Sequence, residues 1–321
     1  MRADPGPTPA CRRSVAGAVA LLAIGLWAAP ARAGLPDWVS CTTPAIQPAA
    51  ELDAHLQLTA LIQDEWRRRG APVALISRSG LDLRPIGHRY SHAGFMTGAS
   101  SVRQLYFDCA AARPRIFDEG LAGFVLGVAS QDTSRFSVVW WPAQPAAVLA
   151  QGVTDDVLAM AILSPAYQAH AHAWSLQSQN CNQWVVEMLA ASFGGGTRRE
   201  AAQRWLRERG YEGSAVQLPW VGWLLAAAVI PHLGLQHHPE DNLQALRLEV
   251  SLPASVEAWV RRQWPLADRV EWCRRGNEVV VRRGWQPLDD PCTPQSGDER
   301  RRLLPWDIPQ PSNNRSIHGL P

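Results

Sequence analysis

One cysteine and one histidine carry the clearest chemistry in this chain. Cys181 lies in Gln179-Asn180-Cys181-Asn182-Gln183-Trp184. Cys181, Trp184, Val185, Met188 and Leu189 recur at i, i+3, i+4, i+7 and i+8, which is the spacing of one helical face. It predicts a helix over 180–191 that begins at the cysteine, with Asn180 as N-cap. Unpaired N–H groups and the positive end of the helix dipole favour a thiolate there. A thiol needs a base to become a nucleophile, and His92 is the candidate. It lies in Tyr90-Ser91-His92-Ala93-Gly94-Phe95, within a run over 89–96 that reads as a strand. Gly94 shares its face, and a missing Cβ leaves room for another group to approach. A helix-borne cysteine facing a strand-borne histidine can run nucleophilic acyl chemistry. The imidazole takes the thiol proton, sulfur attacks a carbonyl, and the imidazole returns the proton to the leaving group.

The compartment follows from the N-terminus. Arg12 and Arg13, the apolar stretch from Ser14 to Ala29, and Pro30-Ala31-Arg32-Ala33 read as a signal peptide over 1–33,. Export makes the protein periplasmic or secreted, with no transmembrane span after cleavage, in an oxidising environment. Cys11 leaves with the signal, and Cys41, Cys109, Cys181, Cys273 and Cys292 stay, an odd number. Cys273 ends a strand-like run, a turn at Arg275-Gly276-Asn277 follows, and Cys292 comes after a Pro-containing loop. A local bridge between Cys273 and Cys292 is expected, and a second between Cys41 and Cys109. The count alone leaves other connectivities open. With this one, Cys181 is the free thiol.

The chain must bury what it positions. Its 321 residues are 46% hydrophobic and 19% charged, enough apolar surface for a core and too much for a disordered chain. A net charge of +2, from 31 basic and 29 acidic residues, excludes a dominant polyanion binder, so no nucleic-acid partner is expected. Every basic residue is Arg, which excludes Schiff-base and P-loop lysine chemistry. The pattern predicts one α+β domain over 34–286. Helices are expected over 49–69, 153–163, 180–191, 198–209 and 253–263. Strands are expected over 72–77, 89–96, 102–108, 136–141 and 246–252, with a hairpin over 270–281. The 136–141 run is continuously apolar and so central. Residues 287–321 read as a Pro-rich polar tail. The apolar run from Trp220 to Leu235 reads as a buried helix. His170, His172, His232, His237, His238, Glu240 and Asp241 gather metal-ligand types, but no HExxH or paired CxxC pattern accompanies them. No metal and no cofactor is expected.

Three segments together carry a resemblance: Ile76-Ser77-Arg78, Arg89-Tyr90-Ser91-His92-Ala93-Gly94 and Asn180-Cys181-Asn182-Gln183-Trp184. They resemble circularly permuted papain-like domains, relatives of the NlpC-type cell-wall peptidases and of lecithin retinol acyltransferase, in which the His strand precedes the Asn-Cys helix. Most of the chain also resembles an uncharacterised bacterial family, domain of unknown function 2145, with His237-His238-Pro239-Glu240-Asp241-Asn242 and Pro253-Ala254-Ser255-Val256-Glu257 contributing. The resemblance implies a papain-like antiparallel sheet packed against the helix that carries the cysteine. It also implies a polar residue on the next strand to orient the His92 ring. Gln104 is the match by position, with Asp108 in reserve, and Asn180 could join the Cys181 N–H in an oxyanion hole. The function this implies is an exported cysteine hydrolase or acyltransferase acting on an amide, ester or thioester of a cell-wall peptide or a lipid. The alternative is a periplasmic binding or structural module that keeps the fold without turnover.

Overall fold

In the computed structural model, residues 47–127, 133–217 and 238–304 are described. Helix α1 (Ala49–Arg69) opens them and stops at Gly70 (φ 62°), where a left-handed residue closes the last turn,. Strand β1 (Ala74–Arg78) follows, then β2 (His92–Gly98), β3 (Ser101–Asp108), β4 (Arg113–Gly120), the short helix α2 (Leu121–Leu126) and β5 (Thr133–Trp140). Next come α3 (Ala143–Thr154), α4 (Asp156–Ala161), α5 (Cys181–Ser192) and α6 (Arg199–Glu208). Strand β6 (Ser214–Gln217), α7 (Glu240–Gln244), β7 (Arg247–Val250), α8 (Pro253–Gln263), β8 (Asp268–Arg275), β9 (Glu278–Arg283) and β10 (Glu299–Arg302) complete the described chain.

Eight strands form one antiparallel sheet in the order β10-β9-β8-β5-β1-β2-β3-β4. A separate ribbon pairs β6 with β7. Both faces of the large sheet are covered, and the pleat sorts side chains between two cores. Leu75, Ala93, Phe95, Leu105 and Val139 pack with Cys181, Trp184, Val185, Leu189 and Trp259 from α5 and α8. Ala74, Ile76, Met96, Val102, Phe136 and Val138 pack with Leu58 and Ile62 of α1 and Phe124 of α2. This double coverage explains why β5 is apolar on both faces, at Phe136, Val138, Val139 and Trp140, where a one-sided sheet would show alternation,. The fold class is α+β.

Three expectations need correction. Residues 287–304 are not a loose tail. Arg135 donates to Leu288 O at 3.4 Å and to Asp290 O at 2.8 Å, Cys273 and Cys292 are disulfide-bonded, and β10 pairs with β9. Tertiary anchors order a stretch that has no periodicity of its own. The helix expected over 153–163 is the end of α3 followed by the short α4, because Asp155 leaves helical geometry to cap α4, accepting from Val157 and Leu158 N–H,. Strand β4 escaped the sequence reading because its charged residues and Pro114 are those of an edge strand,. Cys109 is also disulfide-bonded. Its expected partner Cys41, the signal peptide, the Trp220–Leu235 run and residues 305–321 lie outside the described residues.

Candidate active site

The first turn of α5 is built by side chains of its own segment. Asn180 Oδ1 accepts from the Gln183 N–H at 2.7 Å, the N-cap bond that opens the helix. Both Asn180 amide hydrogens are already committed, to Ala169 O at 3.3 Å and Ser251 O at 3.2 Å. Asn180 is therefore a cap and a tie, with no side-chain N–H left for an oxyanion. Asn182 donates to Ser91 O at 3.1 Å and Ser251 O at 3.2 Å. It fixes the start of α5 beside the residue that precedes His92.

Beneath this turn lies a buried ion cluster. The Glu187 carboxylate accepts from Arg199 Nε at 2.7 Å, Gln179 Nε2 at 2.7 Å and Gln203 Nε2 at 2.7 Å. Arg199 also donates to Ser175 O and Leu176 O, and Gln183 to Ala173 O and Ser175 O. The loop that leads into Cys181 is thereby pinned to α5 and α6.

Cys181 is free and buried, the one free cysteine among the described residues. Its thiol shares a hydrogen bond with the Tyr167 hydroxyl. Burial pushes the thiol up to about 11, against the pull of Tyr167, of the Arg78 guanidinium and of the N–H groups of Asn182 and Cys181. The expected resting thiolate is thus corrected to a neutral thiol. A helix start contributes at most about 2 kcal/mol to a nearby anion, and burying that anion costs more. Tyr167 was invisible to the sequence reading, because Ser164-Pro165-Ala166-Tyr167 has no periodicity to place it.

His92 opens β2 and is buried. Its Nε2 lies 2.6 Å from Gln104 Oε1 on β3, and Gln104 Nε2 donates in turn to Glu119 of β4. The ring stacks on Tyr106 at 4.6 Å and tilts against Phe124 at 5.8 Å. Burial, then the Arg78 charge, holds the imidazole down at about 3, although the Gln104 bond opposes both. Asp108 takes no part here. It accepts from the N–H groups of Ala110 and Ala111 and pairs with Arg115 at the strand end.

His92 and Gly94 share one face of β2, and Cys181 reaches the sheet from the start of α5. Ala93 and Phe95 share a core with Cys181, whereas the Phe124 that touches His92 belongs to the other core. The space expected beside Gly94 is filled by β3: a Cβ there would lie 2.9 Å from Arg103 O. Two groups interact with both Cys181 and His92. Tyr106 stacks on His92 and interacts with Cys181. Arg78, 4% exposed, donates to Tyr106 Oη and Gly127 O and lies 5.3 Å over the Phe124 ring. A phenol, a carbonyl and a ring face carry no negative charge to match this buried cation.

His170, His172 and His238 form a separate group. His172 Nε2 lies 3.7 Å from Glu249 Oε2, and His238 Nε2 lies 2.9 Å from His170 O. Among the described residues no three His, Cys, Asp or Glu are grouped to hold a metal ion. His232 and His237 lie outside them.

Two pH effects follow. Alkylation of Cys181 by iodoacetamide should be slower at pH 7 than that of free cysteine and should keep rising beyond pH 9, toward a midpoint of about 11. A rate plateau below pH 8 would show that the helix start prevails over burial. The second effect concerns stability. Burial lowers His55 to about 4 and His92 to about 3. The folded chain refuses protons that the unfolded chain accepts near pH 6.5. Both histidines therefore stabilise the fold above that pH, and the contribution is lost as pH falls through the folded values. Thermal melts from pH 7 to pH 4 should show this loss, and His55→Gln should flatten part of it.

The architecture and the site define an α+β protein with a buried thiol at a helix start and a buried, oriented histidine on the adjoining sheet. A family model described as an uncharacterized protein conserved in bacteria, domain of unknown function 2145, matches residues 65–260. The chain belongs to this family. The match contains His92, Gln104, Glu119, Cys181 and Arg199, and it ends before the β8–β9 hairpin that completes the sheet. No curated protein and no solved structure matches the chain. No helix of the described residues is long and apolar enough to cross a membrane.

Proposed function

We propose that the protein is an exported thiol hydrolase or acyltransferase of papain-like kind, with Cys181 as nucleophile and His92 as general base. The observation that carries this reading is the free Cys181 thiol at the first residue of α5, bonded to Tyr167 and within the field of Arg78. A neutral thiol at rest suits general-base catalysis, in which the proton leaves as sulfur attacks. The thiol S–H bond breaks, a carbon–sulfur bond forms at an amide, ester or thioester carbonyl, and the proton passes through His92 to the leaving group. Water or an acceptor hydroxyl or amine then releases the acyl group. With the Asn180 amide consumed, Tyr167 is the side-chain donor beside the sulfur for the developing oxyanion. Cell-wall peptides and lipid esters both present such carbonyls.

The test is acyl trapping. Incubation with p-nitrophenyl acetate, followed by intact-mass and peptide mass spectrometry, should place one acetyl group on Cys181 that hydroxylamine removes. Acetylation no faster than in the urea-unfolded protein would reject the reading. A second reading, a binding or structural module without turnover, is favoured by one set of observations. The thiol is pushed up to about 11 and the imidazole down to about 3, so neither group rests in its ionised form. It predicts no acyl adduct under any condition that keeps the protein folded.

A further inference from the structure

We propose that Glu119 is a positioning residue that sets the His92 tautomer through Gln104, leaving Nδ1 as the basic nitrogen. The inference deepens the catalytic reading above, and its first measurement stands apart from catalysis. An ionised carboxylate only accepts hydrogen bonds, and an amide side chain both donates and accepts. Gln104 Nε2 donates to Glu119 Oε2, so the carboxylate fixes which end of the amide faces it. The carbonyl end is then turned to His92, where Gln104 Oε1 lies 2.6 Å from Nε2. A carbonyl oxygen cannot donate, so the neutral imidazole carries its proton on Nε2 and keeps a lone pair on Nδ1.

A second observation points to the same carboxylate. Gly123 of α2 lies where its missing Cβ would come 2.5 Å from Glu119 Oε1 and 2.9 Å from Glu119 Cδ. Helix α2 thus leaves a notch that the carboxylate occupies. Gln104 is fully buried, so its amide has no solvent to turn toward. Glu119 is half-buried at the sheet edge. The other groups that face the ring are Arg78 from β1, Tyr106 from β3 and Phe124 from α2. Among these three, Arg78 and Tyr106 offer polar hydrogens, and Arg78 already spends two on Gly127 O and Tyr106 Oη. The choice of tautomer therefore rests on Gln104, and the orientation of Gln104 rests on Glu119.

The experiment reads the ring directly. Two-bond ¹H–¹⁵N correlation spectra of the ¹⁵N-labelled full chain at pH 7 distinguish Nε2–H from Nδ1–H, with His92→Gln assigning the resonance. The parent protein should show His92 as the Nε2–H form. Glu119→Met removes the acceptor and lets the amide turn over, so the Nδ1–H form should rise to about half. Gly123→Ala keeps the charge and pushes the carboxylate out of its notch, so it should move the population the same way. Glu119→Asp, which keeps an acceptor, should restore at least part of the Nε2–H excess. An Nδ1–H ring in the parent, or an unchanged ring in folded Glu119→Met and Gly123→Ala, would overturn the proposal. Acetylation of Cys181 is measured on the same variants. If the tautomer shifts as expected and no variant or parent is ever acetylated, the catalytic reading fails while the role of Glu119 stands.

Discussion

Cys181→Ser should abolish acyl transfer while leaving the melting temperature close to that of the parent. Serine is nearly isosteric with cysteine, and its hydroxyl can keep the bond to Tyr167 that the thiol makes. The stability change should stay within about 1 kcal/mol. The rate should fall by at least ~10³-fold, because a hydroxyl is a far weaker nucleophile without a strong base beside it. His92→Ala should lower the acylation rate by roughly 10²- to 10⁴-fold, the range that general-base catalysis contributes. It should also cost about 1–3 kcal/mol, because Gln104 Oε1 loses its donor inside the protein,. The pair of variants separates the two readings of the site. A catalytic site gives a dead but stable serine variant. A structural thiol gives a destabilised serine variant and a His92→Ala protein whose Cys181 alkylates at the parental rate. That second pattern, found by combining melts with alkylation rates, would break the link between Cys181 and His92.

Arg199→Met should be among the most damaging single changes to stability, at about 3–5 kcal/mol. Glu187 lies at 1% exposure on α5 and is already pushed up from the ordinary carboxyl range, because burial outweighs Arg199 and its amide donors. Removing the guanidinium leaves that carboxylate buried with only glutamine amides to meet it. The pH dependence has a definite sign. A carboxyl group raised in the folded state takes up its proton more readily there than in the unfolded chain. The variant should therefore regain stability relative to the parent as pH falls from 7 toward 5. Glu187→Gln in the same background should rescue much of the loss at pH 7, since it removes the buried charge. Denaturant melts at the two pH values measure both effects. The loop over 175–179 also loses its anchor in Arg199→Met, and Cys181 should then alkylate faster than in the parent. A variant as stable as the parent at pH 7 would show that this ion pair does not hold the start of α5.

What could be read from the residues is local. Helical spacing from Cys181 to Leu189 and the cap at Asn180 identified α5 to within a residue, because an amphipathic face and a cap are written in adjacent positions. The same holds for α8, whose expected bounds are those observed. The largely apolar β5 announced a central strand, and the papain-like resemblance implied a polar partner at Gln104, which lies in hydrogen-bond contact with His92. The expected bridge between Cys273 and Cys292 is present, since a short loop between two cysteines limits their choice. Edge strand β4 was not legible, and with it went Glu119, because an edge strand is polar for reasons of solubility and shows no buried face.

Everything that depends on which groups are packed together was left to the tertiary structure. A helix start read in isolation favours a thiolate, yet the fold buries that start and raises the thiol instead. Arg78 is far from Cys181 in the chain and Tyr167 lies in the irregular loop before α5, and both reach the thiol only through folding. Alternation along β2 assigned His92 to the face of Gly94, but not which helix covers that face. The ordering of residues 287–304 required a disulfide, the contacts of Arg135 and a strand partner distant in sequence. The sequence determined the identity of the reactive side chains and the elements that bear them. The tertiary structure decided their protonation and their neighbours, because burial and long-range pairing are properties of the packed chain, not of any segment.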